Sequence, residues 1–440
     1  MSSTIVLRFT EDVLSRPERI QQLAQIVKSN PSYRYAILSA PGKGGCDEFK
    51  VTDALYMCHS QFRSREDYHD MFMRIRSTYE RIINGLEIEF NLEGELKEIE
   101  RNLISGCNVD YIASRGEFLI GKIVAKYFNW DFIDAKEMIF FRRDGTIDDK
   151  KSLEVVSKRL SRSQHAVIPS FYGTITGNDI KTFPRGICDT TGAIVSRAVN
   201  ADYLEKWMYK TRPFAADPAI VKDPVVIRNM TYDEVIELNY MGVKVFEDDV
   251  ALTLRKNKIP VLIRTLCHPE QEGTLISTEL PEGLSRNIAV CIAGRKNFSV
   301  LHIEKFGINK QKDFGYRLFE IFSKYNVLCE HVLSGTHKVS IVFKSPMFDI
   351  RRGEIMEDIK NDLKADSVML YKNLSLVAVI GKGMGTVHGV FAKTFRAIAD
   401  ANVKVQMIDQ GSDDTSIIIG VHDEDFERTV NALYDTMIMN

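Results

Sequence analysis

TIVLRFTEDVLSRPERIQQLAQIVKSNPSYRYAILS, Thr4 to Ser39, decides the fold class. Its two ends, Thr4–Phe9 and Arg34–Ser39, are short apolar runs of the kind that form buried strands. Arg16–Ser29 between them reads as a helix. The same alternation continues to about residue 280. Phe118–Phe128 has apolar residues at helical spacing and leads into a strand at Asp131–Asp134. His165–Pro169 is a further buried strand, ending in a loop with Tyr172 and Gly173. Strands alternating with helices predict an α/β fold with a mostly parallel sheet covered on both faces. Ligands of such sheets bind beyond the carboxyl ends of the strands. One loop of that kind, after Arg34–Ser39, holds Pro41, Gly42, Lys43, Gly44 and Gly45. The 65–105 region reads as a charged helical hairpin and is expected to act as a lid or flap.

At 440 residues the chain has room for two or three domains. Its 58 basic and 60 acidic residues leave a net charge of −2, without the basic excess typical of a nucleic-acid binder. Thr10, Glu11 and Asp12 break the N-terminal apolar stretch, so no secretory signal is expected. No apolar run approaches the roughly 18 to 20 residues needed to span a bilayer. These features predict a soluble, cytoplasmic protein without nucleic-acid or membrane partners. Seven cysteines form no CxxC pair, and the nine histidines are scattered, so neither a disulfide framework nor a metal site is expected.

The C-terminal part repeats itself at an offset of 76 residues: Asn326-Val327 falls on Asn402-Val403, Phe322 on Ile398 and Gly335 on Gly411. Ser340-Ile341-Val342 falls on Ser416-Ile417-Ile418 in the same register. Each copy reads as a helix, a strand, a polar turn and a second strand, a small α+β module. The domains expected are 1–285, 286–370 and 371–440, with one module inserted in the other.

Three segments carry a family likeness. DYIASRGEFLIGKIVAK (Asp110–Lys126), KTFPRGICDTTGAIVSRAVN (Lys181–Asn200) and MIDQGSDDTSIIIGVHDEDFERTVNALY (Met407–Tyr434) resemble aspartokinases. The resemblance implies an amino-acid kinase-like domain followed by two ACT (ferredoxin-like) modules. The family reaction transfers the γ-phosphoryl of Mg-ATP to the side-chain carboxylate of L-aspartate, the step that opens the lysine, threonine and methionine pathway. Matching positions imply that Thr52, Glu117 and Arg185 hold aspartate, with Glu117 near a strand–helix junction. The resemblance also implies an effector amino acid, lysine or threonine among those possible, at polar turns of the repeats. Ser334, Thr336, Asp409 and Gln410 are the candidate contacts there. A homodimer, or pairing with an active paralogue, is expected.

The nucleotide side departs from the family pattern. Where aspartokinases have Lys-Phe-Gly-Gly-Ser/Thr-Ser, this chain has Arg8, Phe9, Thr10, Glu11, Asp12 and Val13. Arg8 keeps the charge but is not equivalent to lysine. Thr10 and Glu11 add Cβ atoms where backbone must approach phosphates. Glu11 and Asp12 would face a polyanion, at about 4 kcal/mol per pair for a 4 Å separation at an effective dielectric near 20. Arg185-Gly186-Ile187-Cys188-Asp189 replaces RGGSD, and Met208, Tyr209 and Arg212 replace the Thr-Asp-x-x-Gly loop. Ala219 stands for an arginine, Ser170 for a glycine and Glu247 for a histidine. Arg8 and Asp189 would assist any surviving transfer, with Gly186 and Arg212 the remaining contacts for nucleotide. Cys188 reads as a small thiol replacing serine. Gly381-Lys382-Gly383-Met384-Gly385 looks like a phosphate loop but lacks a Walker ending, and a strand–helix turn explains it as well. The expectation is an aspartokinase-family chain with ATP chemistry lost or strongly reduced. The alternatives are an amino-acid-binding pseudokinase and a kinase with a changed donor or acceptor.

Overall fold

The computed structural model describes residues 3–42, 49–175, 177, 179–184, 188–280, 287–410 and 414–439. Its contacts divide the chain into two units. The first comprises Met1–Pro213, Arg228–Tyr232 and Phe246–Leu280; the second comprises Phe214–Ile227, Asp233–Val245 and Pro281–Asn440.

The first unit carries β1 (Ile5–Phe9), β2 (Tyr33–Leu38), β3 (Asp131–Phe132), β4 (Ala166–Pro169), β5 (Tyr172–Thr174), β6 (Ile180–Thr182), β7 (Tyr203–Met208), β8 (Asn229–Thr231), β9 (Val261–Thr265) and β10 (Thr274–Ser277). Eight of these form one sheet in the order β3-β4-β2-β1-β7-β9-β10-β8, while β5 and β6 pair separately as a hairpin. Every pair in the large sheet is parallel except β9 with β10. Central strands of such a sheet are covered on both faces and read as continuous apolar runs. All five residues of β1 are buried accordingly, including one arginine. Helices α1 (Pro17–Ser29), α2 (Val51–Ser64), α3 (His69–Leu86), α4 (Leu92–Ile104), α5 (Val109–Phe128), α6 (Asp149–Leu160) and α7 (Asp189–Ala198) follow in chain order. Next come α8 (Tyr232–Tyr240), which carries the chain into the second unit, and α9 (Asp248–Lys256), which returns to the first.

Two expectations change here. The 65–105 region does form a helical hairpin, α3 and α4, but it is no flap. Phe72, Ile75, Tyr79, Ile82, Leu96, Ile99 and Leu103 are buried in the same core as β1, α1, α2 and α5. Charged side chains take only its outer face, which is why the segment reads as polar. The Tyr79 hydroxyl also donates to the Gly116 carbonyl at 2.8 Å. The second change concerns Ser114–Glu117, which lies inside the 20-residue α5 and not before a helix. Asn108 starts that helix earlier, its side chain accepting from the Tyr111 N–H as an N-cap.

The second unit contains the repeat. In chain order it runs β11 (Cys291–Glu304), α10 (Phe314–Lys324), β12 (Cys329–Ser334), β13 (Lys338–Lys344), α11 (Ser345–Ile350), α12 (Arg352–Asp362), β14 (Ser367–Ile380), α13 (Val390–Asp400), β15 (Val405–Gln410), β16 (Ser416–His422) and α14 (Phe426–Tyr434). The spacing of 76 recurs at the start of β11 and β14, of α10 and α13, and of β12 and β15. Asn326 and Asn402 both take the left-handed conformation, with φ of 55° and 53°. That conformation ends helices and is tolerated by asparagine better than by most residues. One antiparallel sheet spans both copies in the order β12-β13-β11-β14-β16-β15, with the 14-residue strands β11 and β14 paired at its centre. Residue 370, where the sequence predicts a module boundary, falls inside β14. Leu301, Leu318, Phe322, Ile341, Phe343 and Ile355 form the core beneath the first copy. Gly411, one of the repeat positions, lies outside the described residues.

Candidate active site

Arg8 ends up in the middle of the large sheet, on β1, with only 2% of its surface exposed. A buried guanidinium must have its donors satisfied. Its Nε donates to Asp189 Oδ1 at 2.9 Å, Nη1 to the Phe9 carbonyl at 2.5 Å and Nη2 to Ser39 Oγ at 2.7 Å. Asp189 opens α7, where the helix dipole favours a carboxylate. Its second oxygen accepts from Lys206 Nζ at 2.7 Å. Lys206 is the partner of Arg8 in the β1–β7 register, so the two cations project from adjacent strands at the same level. Burial alone would raise the Asp189 carboxyl, but the Lys206 ammonium and the Arg8 guanidinium outweigh it and leave the group below its usual range. Asp189 is therefore ionised at neutral pH and shared by two cations. Lys206 did not stand out in the sequence; the available signal is a lysine inside a strand whose neighbours Leu204, Glu205 and Trp207 are all buried.

Next to this cluster is a cavity of about 160 Å³ lined by Ser39, Lys50, Thr52, Glu117, Phe171 and Cys188, among others. Ser39 belongs to both, as a partner of Arg8 and as a wall of the cavity. Glu117 reaches it from the middle of α5. Gly116 permits this, because a Cβ there would stand 2.9 Å from the Ala40 Cβ, so only glycine lets α5 come this close to the end of β2. Thr52 Oγ1 donates to Glu117 Oε1 at 3.4 Å. Thr52 is the second residue of α2 and not its N-cap, which is Lys50. Glu117 Oε2 is buried with no hydrogen-bond partner among the described residues. Burial raises the Glu117 carboxyl to about 8, against the lowering effect of backbone donors, Arg8 and Thr52. A buried, half-satisfied carboxylate on a pocket wall is a receptor for a cation that brings its own donors, such as an ammonium. Phe171 forms part of the wall at φ 77°, a conformation costly for a bulky side chain. Hydrogen bonds hold the backbone on either side, from Ser170 N to the Leu38 carbonyl at 2.9 Å and from Phe183 N to the Phe171 carbonyl at 2.8 Å. Strain of this kind collects at ligand sites.

The first-strand loop does not present its acids as its sequence suggests. Asp12 turns its carboxylate onto the chain: Oδ1 accepts from the Val13 N–H at 3.1 Å and from the Thr10 hydroxyl, and Oδ2 accepts from the Tyr209 N–H at 2.9 Å. It braces the turn after β1 against the end of β7. Glu11 pairs with Lys50 at 2.6 Å, both groups being partly exposed. Arg212 donates to Gln271 at the surface. Arg185 and Gly186 lie outside the described residues. Burial pushes the Cys188 thiol up to about 11, with Arg8 pulling the other way, so it is a neutral thiol and a poor nucleophile.

In the second unit Ser334 and Thr336 are exposed around the end of β12. Asp409 Oδ2 meets His331 Nδ1 at 2.5 Å, and Gln410 donates to Asp414 at 3.3 Å. The Gly381–Gly385 loop is a turn filled by the protein itself: the Lys382 N–H donates to the buried Glu234 at 2.7 Å, and its ammonium pairs with Asp233 at 3.0 Å. A Cβ at Gly381 would stand 1.9 Å from the Ile288 carbonyl oxygen, so close backbone approach explains that glycine. Among the described residues no three metal-ligating side chains gather, and no helix is long and apolar enough to cross a membrane.

Residues 3–265 match the amino acid kinase family and residues 377–437 the ACT domain. Aspartokinase 3 of Bacillus subtilis is 27% identical over 444 residues, covering 98% of this chain and 97% of its own length. The crystal structure of Clostridium acetobutylicum aspartate kinase, described as an allosteric enzyme, is similar with a TM-score of 0.90 and 36% identity, over 99% of this chain and 100% of that one. Escherichia coli aspartokinase III, solved with aspartate and ADP, shares the fold at a TM-score of 0.74 and 18% identity, covering 99% of this chain and all of its own. An amino acid kinase region followed along the chain by an ACT region, matched end to end at this identity, places this chain in the aspartokinase family.

Proposed function

We propose that this chain phosphorylates L-aspartate on its 4-carboxylate with Mg-ATP. The observation that carries the reading is the Arg8–Asp189–Lys206 cluster set beside the Glu117 cavity, toward the carboxyl ends of β1 and β7. In this reading Glu117 takes the substrate ammonium, Thr52 holds Glu117 in place, and Arg185 grips a carboxylate, the role its motif implies. An oxygen of the 4-carboxylate attacks the γ-phosphorus. The bond to the β,γ-bridging oxygen breaks, and ADP departs with that electron pair. Magnesium arrives with the nucleotide and offsets phosphate charge. The inward turn of Asp12 supports retained chemistry, since it removes one of the two acids that would oppose a polyanion. The test is hydroxamate formation with Mg-ATP and L-aspartate: aspartate-dependent product supports the kinase, and its absence at millimolar substrates sinks it.

A second reading, an amino-acid-binding chain without phosphoryl transfer, is favoured by one feature. Glu11 packs over Gly42, where an added Cβ would lie 2.8 Å from the Glu11 Cβ, so a carboxylate side chain sits against that backbone. Heat of aspartate binding with no Mg-ATP signal in calorimetry would select it. In either reading an amino acid, lysine or threonine being the candidates, binds the ACT region near Ser334, Thr336, Asp409 and Gln410. The chain then works as a homodimer or with an active paralogue, which sedimentation with and without the amino acid tests.

A further inference from the structure

Glu11, Asp53 and Glu117 line the cavity beside Arg8, and Lys50 is the only cation among the described residues that does so. The space is about 160 Å³, roughly five water volumes, so one small molecule inside it touches more than one wall. Glu117 Oε2 is buried there without a partner among the described residues. An amino acid that docks its ammonium on Glu117 brings a carboxylate on the same carbon, and that charge needs a cationic partner. Hydrogen bonds fix the backbone around Lys50 and Glu11. The Val51 N–H donates to the Pro41 carbonyl at 3.0 Å, and the Gly42 N–H donates to the Glu11 carbonyl at 3.1 Å. The two side chains are held far less firmly. The Lys50 ammonium has one partner among the described residues, Glu11 Oε1 at 2.6 Å, and the side chains are 41% and 37% exposed. Exposed ion pairs contribute little to stability and exchange partners readily. Lys50 also stands at the N-cap of α2 with no side-chain cap bond, so a carboxylate reaching it meets the positive end of a helix as well. Glu11 thus gives Lys50 the kind of partner that a ligand carboxylate would be.

We propose that Lys50 receives the α-carboxylate of the amino acid whose ammonium Glu117 takes, and that Glu11 is a competing carboxylate within the chain, displaced from Lys50 as the amino acid enters. This inference rests on the amino-acid pocket of the proposed function and narrows its substrate class. The cavity selects an α-amino acid with a free α-carboxylate, and Lys50 is the residue that reads that group. Each step is a change of ion-pair partner, so it is measurable without nucleotide and without turnover.

The experiment titrates the full-length protein in a calorimeter with L-aspartate and with L-aspartic acid 1-amide, which keeps the ammonium and the 4-carboxylate but lacks the α-carboxylate. Wild type, Glu11→Gln, Lys50→Met, Lys50→Arg and the double variant Glu11→Gln/Lys50→Met are compared. Wild type should favour aspartate over the amide by about tenfold or more. Lys50→Met should lose most of that preference by weakening aspartate alone, and Lys50→Arg, which keeps the charge, should retain most of it. Glu11→Gln should tighten aspartate about threefold, because the competitor is gone, and that gain should vanish in the double variant. A preference for aspartate that survives Lys50→Met overturns the assignment. So does a Glu11→Gln variant no tighter than wild type, or a gain that persists in the double variant, since removing one acid from the field of the cavity gives the latter without Lys50. A loss in Lys50→Met seen with Mg-ATP and not with aspartate makes Lys50 a phosphate contact and also overturns it. Wild-type protein with no aspartate heat at millimolar concentration overturns this inference together with the amino-acid pocket. Aspartate binding that meets these expectations in a protein forming no hydroxamate sinks the kinase reading and leaves Lys50 standing.

Discussion

Thr52 and Glu117 meet at 3.4 Å across α2 and α5, while the other oxygen of Glu117 is buried without a partner among the described residues. The carboxyl is raised to about 8, chiefly by burial. The folded protein therefore keeps a proton that the unfolded chain releases near pH 4.5. The stability this gives is full below that pH and is lost as pH rises through about 8, at up to about 1.4 kcal/mol per unit. Urea unfolding at pH 5.5 and 7.5 should show wild type losing about 2 kcal/mol more than Glu117→Gln over that interval. Equal losses would mean the carboxyl is ionised when empty. An arriving ammonium should reverse the balance, so aspartate binding near pH 7 should release a proton, read as a buffer-dependent heat.

Cys188 lines the same cavity with its thiol raised to about 11 by burial. Roughly one part in a thousand is thiolate at pH 8, against roughly a quarter for an ordinary cysteine. Alkylation of Cys188 at pH 8, followed by peptide mass spectrometry, should be far slower than that of a free cysteine. Cys188→Ser should keep hydroxamate formation within about threefold, since the thiol performs no chemistry in the proposed step. Loss of activity in the serine variant would place Cys188 among the reacting groups.

The α3–α4 hairpin should behave as wall, not lid. Ile75 is fully buried, and Ile75→Ala should cost about 3 kcal/mol in urea unfolding. Tyr79→Phe removes the bond to the Gly116 carbonyl and should cost about 1 kcal/mol. Amides of 72–103 should exchange as slowly as those of α5 and gain little protection on adding aspartate and Mg-ATP. Marked slowing there on ligand addition would restore the flap.

Asn402 and Asn326 end equivalent helices in the left-handed conformation. At either site glycine should be tolerated or slightly stabilising. Alanine should cost about 1 kcal/mol, read as a shift in the urea midpoint of the second unit. A cost for glycine equal to that for alanine would point to the asparagine side chain, not the backbone angle.

The α/β class, the parallel sheet and the repeat were all legible from residue order, because apolar periodicity and turn-forming residues are local properties that burial merely enforces. Thr4–Phe9 reads as a strand without knowing its neighbours, and the spacing of 76 survives from letters to strand starts. Residue order alone places the start of α5 too late, because the cap at Asn108 lies ahead of the apolar run that signals the helix. The hairpin reads as a flap because its outer charges outnumber the inner stripe that fixes it.

What only the tertiary structure decided is which charges share a site. Arg8 and Asp189 stand 181 positions apart, and nothing in either neighbourhood names the other. Lys206 joins them because parallel strands β1 and β7 bring residues of equal height side by side, a register set by the whole sheet. Asp12 reads as an acid aimed at phosphate until the fold shows its carboxylate held by the Val13 and Tyr209 N–H groups. Sequence determines where a side chain can be buried; the partners it finds there depend on chain crossings that local physics does not encode.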